Sequence, residues 1–258
     1  GVHLANPVPV QEVTSLAVVN VDANGHPDYA FYRQGVADRA ITAALLTQAC
    51  TQAESLSLVC TGALALAPED ADTYLPWLAA QRQAGRTVVM DANLRPSVMP
   101  NLAQYRHHVL TALQYADVIK ASDEDLVHLD LPGANSQAQA QHLLQHSRAN
   151  VLALTLGAKG AALLTRNGQV FQARELASLV VVDTVGAGDC FLAGLVTAML
   201  EHQLPADWGT TPVQDQVANT LLGSAIASAS LCVMRRGCVP PTRPEVLQRL
   251  EPGRCTIG

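Results

Sequence analysis

Short apolar runs alternate with longer mixed segments along most of this chain. The runs are rich in Val, Leu and Ile, which is typical of buried strands. We predict such strands at residues 57–61, 87–91, 117–120, 151–156, 161–165 and 179–182. The longer segments predict helices, which we place at residues 37–50, 68–84, 101–115, 136–147, 189–202 and 213–233.

This alternation of strands and helices predicts an α/β fold with a mostly parallel sheet. Right-handed βαβ crossovers place helices on both faces of such a sheet. Ligands bind beyond the carboxyl ends of its strands. Functional side chains are therefore expected in the loops that follow strands, at 62, 91–96, 120–125, 155–160 and 183–189.

The segment 15–33 differs from the rest, because it predicts two strands joined by a tight turn. Asn24-Gly25 is a strong hairpin signal, since both residue types tolerate positive φ. We place one domain boundary after this hairpin, which separates residues 15–33 from an α/β domain at 34–258.

Composition narrows the classes of partner. The 258 residues are 49% apolar and carry a net charge of −6, which argues against non-specific nucleic-acid binding. The chain contains no run of about 18 uninterrupted apolar residues, so we predict no transmembrane helix. The opening GVHLANPVPV is unlike a secretory signal. The six cysteines form no CxxC pair, so we expect free thiols in a reducing cytosol and a cytoplasmic protein.

The strongest chemical signal is the segment VDTVGAGDC at 182–190, between a predicted strand and a long helix. Gly186 and Gly188 let the backbone turn tightly without a Cβ that would block a ligand. The helix start adds unpaired N–H groups and a positive dipole end, which together favour a phosphate. Asp189 in the first turn can accept the proton of an attacking hydroxyl. The plainer interpretation is a glycine-rich turn capped by an aspartate.

Six segments in order give this chain a resemblance to a known family. DTVGAGD resembles the DTxGAGD signature of ribokinase-like (PfkB) carbohydrate kinases. Fructokinases are the most similar members, and the further segments that resemble theirs are FYRQGVADR, DANLRPSVMP, IKASDEDL, LTLGAKGA and RRGCVPP.

The resemblance implies a ribokinase-like α/β fold in which residues 15–33 form part of a small β lid over the sugar. It implies ATP-dependent phosphorylation of a sugar hydroxyl, with fructose converted to fructose 6-phosphate. A 2-keto-3-deoxygluconate kinase is an alternative, because such enzymes share the FYR and NLR segments. A non-catalytic nucleotide-binding or regulatory protein is an alternative of another class.

The resemblance also assigns roles to individual residues. Asp189 is implied as the catalytic base. The implied anion hole comprises Gly186, Ala187 and Gly188. The implied nucleotide-binding residues are Asn93, Ser122, Thr155, Gly157, Lys159, Gly160, Gly186 and Gly188. The implied substrate-binding residues are Phe31, Tyr32, Arg33, Arg95 and Asp189.

Several of these residues have a structural alternative. Lys159 is as well explained by a solvated side chain, and the two hairpin aromatics by simple packing. Arg33 and Arg95 are each explained as well by a structural ion pair.

The resemblance implies metal ions and leaves the assembly open. Asp125 is implied near Mg²⁺, with contact largely through water, although it is also a good residue for a helix start. The residues near an implied monovalent cation such as K⁺ are Asp183, Val185 and Gly237. A homodimer built through the lid is one expectation. The family's opening strand and Gly-Gly-rich stretch have no counterpart after Gly1, so we expect a sheet without its first strands.

Overall fold

The computed structural model describes residues 4–5, 8–21 and 27–250. Its backbone divides into two compact units, residues 1–116 and 117–258. The turn predicted at Asn24-Gly25 lies outside the described residues. The domain boundary that the sequence suggests after residue 33 stays a prediction.

The first unit begins with two antiparallel strands. Strand β1 (Leu16–Val21) pairs with β2 (Pro27–Tyr32), and Leu16 lies opposite Tyr32 in the register. Both strands fall within the segment where the sequence predicts a hairpin.

The rest of the first unit alternates strands and helices. Strand β3 (Leu58–Gly62) runs parallel to β4 (Thr87–Asp91), and β4 is buried along its whole length. The helices are α1 (Ala43–Gln52), α2 (Ala71–Gln83) and α3 (Leu102–Leu113). The helix predicted from residue 37 starts later, because the Thr42 hydroxyl accepts the amide of Leu45 and fixes the start there.

The second unit holds four strands, which are neighbours in the same order as in the sequence. Strand β5 (Val118–Ser122) runs parallel to β6 (Val151–Thr155), and the next two strands, β7 (Ala161–Thr165) and β8 (Val170–Ala173), continue antiparallel. Its helices are α4 (Asp123–His128), α5 (Ser136–His146), α6 (Ala187–Glu201), α7 (Asp215–Val233) and α8 (Arg243–Leu250). The sequence did not predict β8 or α8.

The prediction of a strand at residues 179–182 is wrong. The backbone amides of Val182 and Asp183 both donate to the carbonyl of Val233, at 2.8 and 3.2 Å. These bonds tie the segment to the end of α7, and they use amides that a neighbouring strand would need. The segment therefore stays irregular although its residues favour strands.

Helix α7 has the length and composition of a membrane span, but most of it is buried inside the protein. It packs against α6 so closely that a Cβ on Gly194 would overlap the carbonyl of Ser224. A glycine at this crossing lets the two backbones approach. Helix α7 is therefore a core helix, and it fixes α6 within the second unit.

Candidate active site

The glycine-rich segment forms a tight turn that opens α6. Gly186 has φ of +80°, in the left-handed region that glycine occupies without strain. The helix begins at Ala187, two residues earlier than the sequence suggests, and Gly188 and Asp189 lie in its first turn. No side chain of the described residues caps this helix end. The amide of Ala187 donates to the carbonyl of Thr184 at 3.2 Å, while the other first amides and the positive dipole end are suited to an anion.

Asp189 is exposed to solvent at this helix end. Among the described residues, no side chain or amide forms a hydrogen bond or ion pair with its carboxylate. An exposed carboxylate with this freedom can approach a hydroxyl group that enters the site.

A buried lysine lies beside the same turn, and the sequence analysis missed it. Lys120 is on β5 and only 4% exposed. A Cβ built on Gly188 would stand 3.1 Å from its Nζ, so the ammonium group lies against the first turn of α6. A lysine among the buried residues of DVIKAS was the signal that could have found it.

Three cysteines pack around the turn. The sulfur of Cys238 lies against Gly186, and the thiol of Cys232 donates to the carbonyl of Val185 at 3.7 Å. Burial, with a further contribution from the neighbouring thiol of Cys232, raises the pKa of Cys190 to about 12. A thiol with so high a pKa is not a nucleophile at neutral pH. The cluster therefore supports the turn by packing.

The Asp183 carboxylate links the turn to the loop at Gly237, which follows α7. Its carboxylate accepts the amide of Val185 at 3.0 Å and the amide of Gly237 at 2.8 Å. These backbone hydrogen bonds lower the pKa of Asp183. The structure thus brings together the three residues implied for a monovalent cation, around a carboxylate that stays ionised.

Ser122 and Asp125 form a capping box at the start of α4. The Asp125 carboxylate oxygen Oδ2 accepts both the amide and the hydroxyl of Ser122 at 2.8 Å, and the Ser122 hydroxyl accepts the amide of Asp125 at 3.0 Å. Asp125 is buried. The structure therefore gives this pair a clear structural role, and a metal at Asp125 would have to share these bonds.

The described residues contain no cluster of three or more His, Cys, Asp or Glu side chains that could hold a metal. A carboxylate that contacts the metal through water fits Mg²⁺, which keeps several waters and binds mainly to substrate phosphates. The described residues therefore form no closed metal cage, and a divalent ion would take most of its ligands from water and substrate phosphates.

The loop after β6 has one open and one crowded glycine. Thr155 ends β6 opposite Ser122 of β5, so these two residues lie side by side at the carboxyl ends of their strands. Gly157 has φ of +56° and open space around it, whereas a Cβ on Gly160 would overlap the carbonyl of Ala173. Gly160 is thus required for packing against β8, while Gly157 leaves room for a ligand.

Lys159 is the charged residue of this loop. Lys159 is exposed and makes no contact that separates a phosphate-binding role from a solvated lysine.

Arg33 in the first unit is held by an acid that the sequence analysis missed. Its guanidinium donates to the carboxylate of Asp70 at 2.6 Å and to the carbonyl of Leu64 at 3.0 Å. Arg39 donates to the other oxygen of Asp70 at 2.8 Å. The arginine side chain is therefore fixed in an ion-pair network, as the structural alternative expects.

Arg95 lies in the loop after β4. Its guanidinium donates to the carbonyl of Leu94 at 3.0 Å, and its amide donates to the Tyr105 hydroxyl at 3.3 Å. Asn93 has φ of +32°, which is uncommon for a residue with a side chain. These contacts bend the loop tightly at the carboxyl end of a buried strand, where ligands bind in such folds.

The hairpin aromatics differ in exposure. Phe31 is half-buried, and Tyr32 is 62% exposed. Tyr32 is therefore accessible to a ligand, while Phe31 contributes in part to packing.

Comparisons with known proteins identify the family and the fold of this chain. The model of the pfkB family carbohydrate kinases matches residues 6–245. A fructokinase from Rhizobium leguminosarum bv. trifolii is 35% identical over 176 residues, which are 68% of this chain and 52% of that protein. The chain thus spans about half the length of this relative.

Two solved structures share the fold. The fructokinase from Xylella fastidiosa with bound ATP is 26% identical, with a TM-score of 0.75 over 93% of this chain and 74% of that one. The fructokinase from Vibrio cholerae O395, in a form with fructose, ADP and calcium bound, is 24% identical, with a TM-score of 0.74 over 91% and 73%. The predicted ribokinase-like α/β fold is confirmed. Its glycine turn and signature aspartate accompany a family match over nearly the whole chain, and this chain belongs to the pfkB family of carbohydrate kinases.

Proposed function

We propose that this protein transfers the terminal phosphoryl group of ATP to a sugar hydroxyl, with fructose as substrate and fructose 6-phosphate as product. One observation carries the proposal: the exposed Asp189 carboxylate stands in the first turn of a helix opened by a left-handed glycine. Family membership and the similarity to proteins named fructokinase support the choice of sugar.

The chemistry follows from this helix end. ATP supplies the phosphoryl group and leaves as ADP when the bond to its γ-phosphorus breaks, and a divalent metal ion would neutralise charge on the phosphates. Asp189 accepts the proton of the sugar hydroxyl as the oxygen attacks. The turn at Gly186, Ala187 and Gly188 faces the charge that builds on the phosphoryl oxygens, with the amides of the two glycines as donors and the Ala187 amide paired with the Thr184 carbonyl. A non-catalytic nucleotide-binding protein would have no use for the carboxylate.

Nucleotide binding is assigned to the strand ends of the second unit. Ser122 and Thr155 lie side by side there, and the open surface at Gly157 permits a close backbone approach. Lys159 of the same loop is also proposed to contact the nucleotide, and Gly160 acts by holding the loop in place. Asn93 of the first unit is a further, separate nucleotide-binding proposal.

Sugar binding is assigned to Tyr32, Phe31, Arg33 and Arg95 of the first unit. The pairing with Asp70 orients Arg33 and does not remove its capacity to donate, since a guanidinium carries five N–H donors. A sugar acid such as 2-keto-3-deoxygluconate would use the same arginines for its carboxylate, and this makes it the competing substrate.

The metal assignments are also proposals. Asp125 is proposed to contact Mg²⁺ through water. Asp183, Val185 and Gly237 are proposed to surround K⁺. Backbone carbonyl oxygens would bind the ion beside the ionised carboxylate of Asp183. Turnover measured in sodium, potassium and choline buffers tests the second assignment, and equal rates in all three would reject it.

Location and assembly complete the proposal. Free thiols at Cys50, Cys60, Cys190, Cys232 and Cys238 fit a reducing cytoplasm. A homodimer is the proposed assembly, because the described strands of the hairpin expose apolar side chains at Leu16, Val18 and Val19. Sedimentation at several protein concentrations tests it, and a monomer throughout would reject it.

A substrate panel with coupled ADP detection tests the function itself. We expect ATP-dependent turnover with fructose and little with 2-keto-3-deoxygluconate. The opposite preference would replace the substrate and keep the chemistry. ATP binding without turnover of either compound would reject the enzyme assignment.

A further inference from the structure

We propose that Lys120 is a further catalytic residue, whose ammonium group binds the phosphoryl group during its transfer. This inference rests on the proposed function and adds to it a residue that the family signature at 182–190 does not contain.

The strand that carries Lys120 directs it toward the helix start. Side chains alternate along a strand, so Lys120 lies on the same face of β5 as Ser122, two residues before the carboxyl end. A Cβ on Gly188 would stand 3.1 Å from the Lys120 Nζ. The ammonium group is therefore adjacent to the backbone that forms the anion hole, and a residue larger than glycine at 188 would press on it.

The burial of Lys120 gives its charge unusual weight. The Lys120 side chain is 4% exposed, and a charge that is shielded from water acts more strongly on its neighbours. A helix start contributes about half a positive charge, whereas an ammonium group contributes a full one. Such fixed charge stabilises a phosphoryl group as negative charge spreads over its oxygens.

The identity of the residue fits this role. The sequence contains only two lysines, Lys120 and Lys159, among its sixteen basic residues. A lysine presents a compact point charge that suits a phosphate, whereas arginine presents a wide planar fork. One lysine is placed beside the anion hole, while the other is exposed in the loop after β6.

The competing interpretation is a structural ion pair, in which Lys120 only balances a neighbouring carboxylate of the fold. The two roles differ in a measurable way. Removing a structural lysine should weaken the binding of the nucleotide and of the transition state to the same extent. Removing a catalytic lysine should weaken binding of the transition state more than binding of the nucleotide.

The first experiment compares Lys120→Met with the wild-type chain. Methionine keeps the length and removes the charge. We expect kcat to fall about 100-fold or more, while the KM for fructose and the affinity for ADP change less than about threefold. Arg148→Met is the matched control, because Arg148 is an exposed cation of the same unit near the amino end of β6. It should behave like the wild type.

The transition state can also be probed without turnover. Calorimetry should show that Lys120→Met weakens the binding of ADP with aluminium fluoride, a mimic of the transferring phosphoryl group, far more than the binding of ADP alone. Lys120→Arg should restore part of this difference. Equal losses for the two ligands, or a kcat equal to that of the wild type, would overturn the proposal. A wild-type chain that turns over no sugar would instead reject the proposed function.

A second experiment uses the wild-type chain and does not depend on the folding of a variant. An ADP derivative that carries pyridoxal on its terminal phosphate places an aldehyde where the γ-phosphate would lie. A nearby lysine amine condenses with the aldehyde with loss of water, and borohydride reduces the imine. Because the chain has two lysines, mass spectrometry gives a direct answer. Label on Lys120 that ATP prevents supports the proposal, and label confined to Lys159 overturns it.

Discussion

The sulfur of Cys238 occupies the space that a side chain on Gly186 would need. The turn at the start of α6 and the loop around Cys238, between α7 and α8, therefore fit together only with glycine at position 186. Gly186 also has φ of +80°, so two separate constraints, one conformational and one steric, act on the same residue.

A Gly186→Ala substitution measures the two constraints. The left-handed conformation alone costs about 1–3 kcal/mol for a residue with a side chain, and the overlap with Cys238 adds to this. We expect the free energy of unfolding, from urea denaturation, to fall by more than the conformational cost.

Gly168→Ala is the matched control. Gly168 has φ of +94° but no atom within 4 Å of its Cβ position, so its substitution reports the conformational cost alone. In a Cys238→Ala background the excess loss at position 186 should shrink toward the loss at 168. Equal losses at the two glycines in the wild-type background would show that Cys238 does not constrain the turn.

The reactivity of Cys238 provides a pH-dependent prediction. Partial burial raises its pKa, and the neighbouring Cys232, Asp189 and Asp183 raise it further. A raised pKa means less thiolate at any given pH, so alkylation should be slower than that of a free cysteine peptide. Its rate should reach half its maximum above the ordinary value of 9.0. Mass spectrometry of iodoacetamide-treated protein from pH 7 upward checks this, and a midpoint below that of the peptide would contradict it.

Elements with a local cause could be predicted from the sequence. Strands β4 and β7 lie where their apolar runs place them, because burial decides both the sequence pattern and the structure. Helix α8 was missed although its signal is present. The Glu245 carboxylate accepts the amide and the hydroxyl of Thr242, which is the start signal that the segment TRPE carries.

Features with a non-local cause could not be predicted. The segment 179–182 favours a strand by composition, but the carbonyl of Val233, about fifty residues later, accepts the amides of Val182 and of Asp183 next to it. Lys120 and Gly188 are also far apart in sequence, and only the packing of α6 beside β5 brings them together. The glycine turn and Asp189 were found because their chemistry lies within one short segment.

Glu245 should make stability depend on acid pH. Hydrogen bonds from Thr242 and the neighbouring Arg235 lower the pKa of Glu245 from 4.5 to about 2. Because the folded-state pKa is lowered, this contribution is fully present above pH 4.5 and is lost as the pH falls toward 2. Glu245→Gln should therefore lower Tm above pH 5 and make little difference near pH 2. An equal loss of Tm at both pH values would contradict the prediction.

The Arg33–Asp70 ion pair should contribute to stability far more than an exposed pair. Its side chains are only 14% and 10% exposed, so Arg33→Met leaves the Asp70 carboxylate with Arg39 alone in a largely buried site. We expect a loss of about 3 kcal/mol in the free energy of unfolding.

Arg243→Met is the control for this prediction. Arg243 pairs with Glu201 at the surface, where the side chains are 31% and 45% exposed, and its loss should cost under about 1 kcal/mol. Denaturation of both variants in urea gives the comparison. Similar losses of unfolding free energy in the two variants would show that the Arg33–Asp70 pair contributes no more to stability than an exposed pair.

The central claim is that Asp189 accepts the sugar proton, and Asp189→Asn tests it most directly. The matched control is Asp215→Asn, because Asp215 is an exposed aspartate in the first turn of α7, another long helix of the same unit. Steady-state kcat with fructose and calorimetric ADP affinity should be measured for both variants. We predict that Asp189→Asn lowers kcat about 10³-fold with ADP affinity nearly unchanged, while the control keeps the wild-type rate. A wild-type kcat for Asp189→Asn would contradict the account.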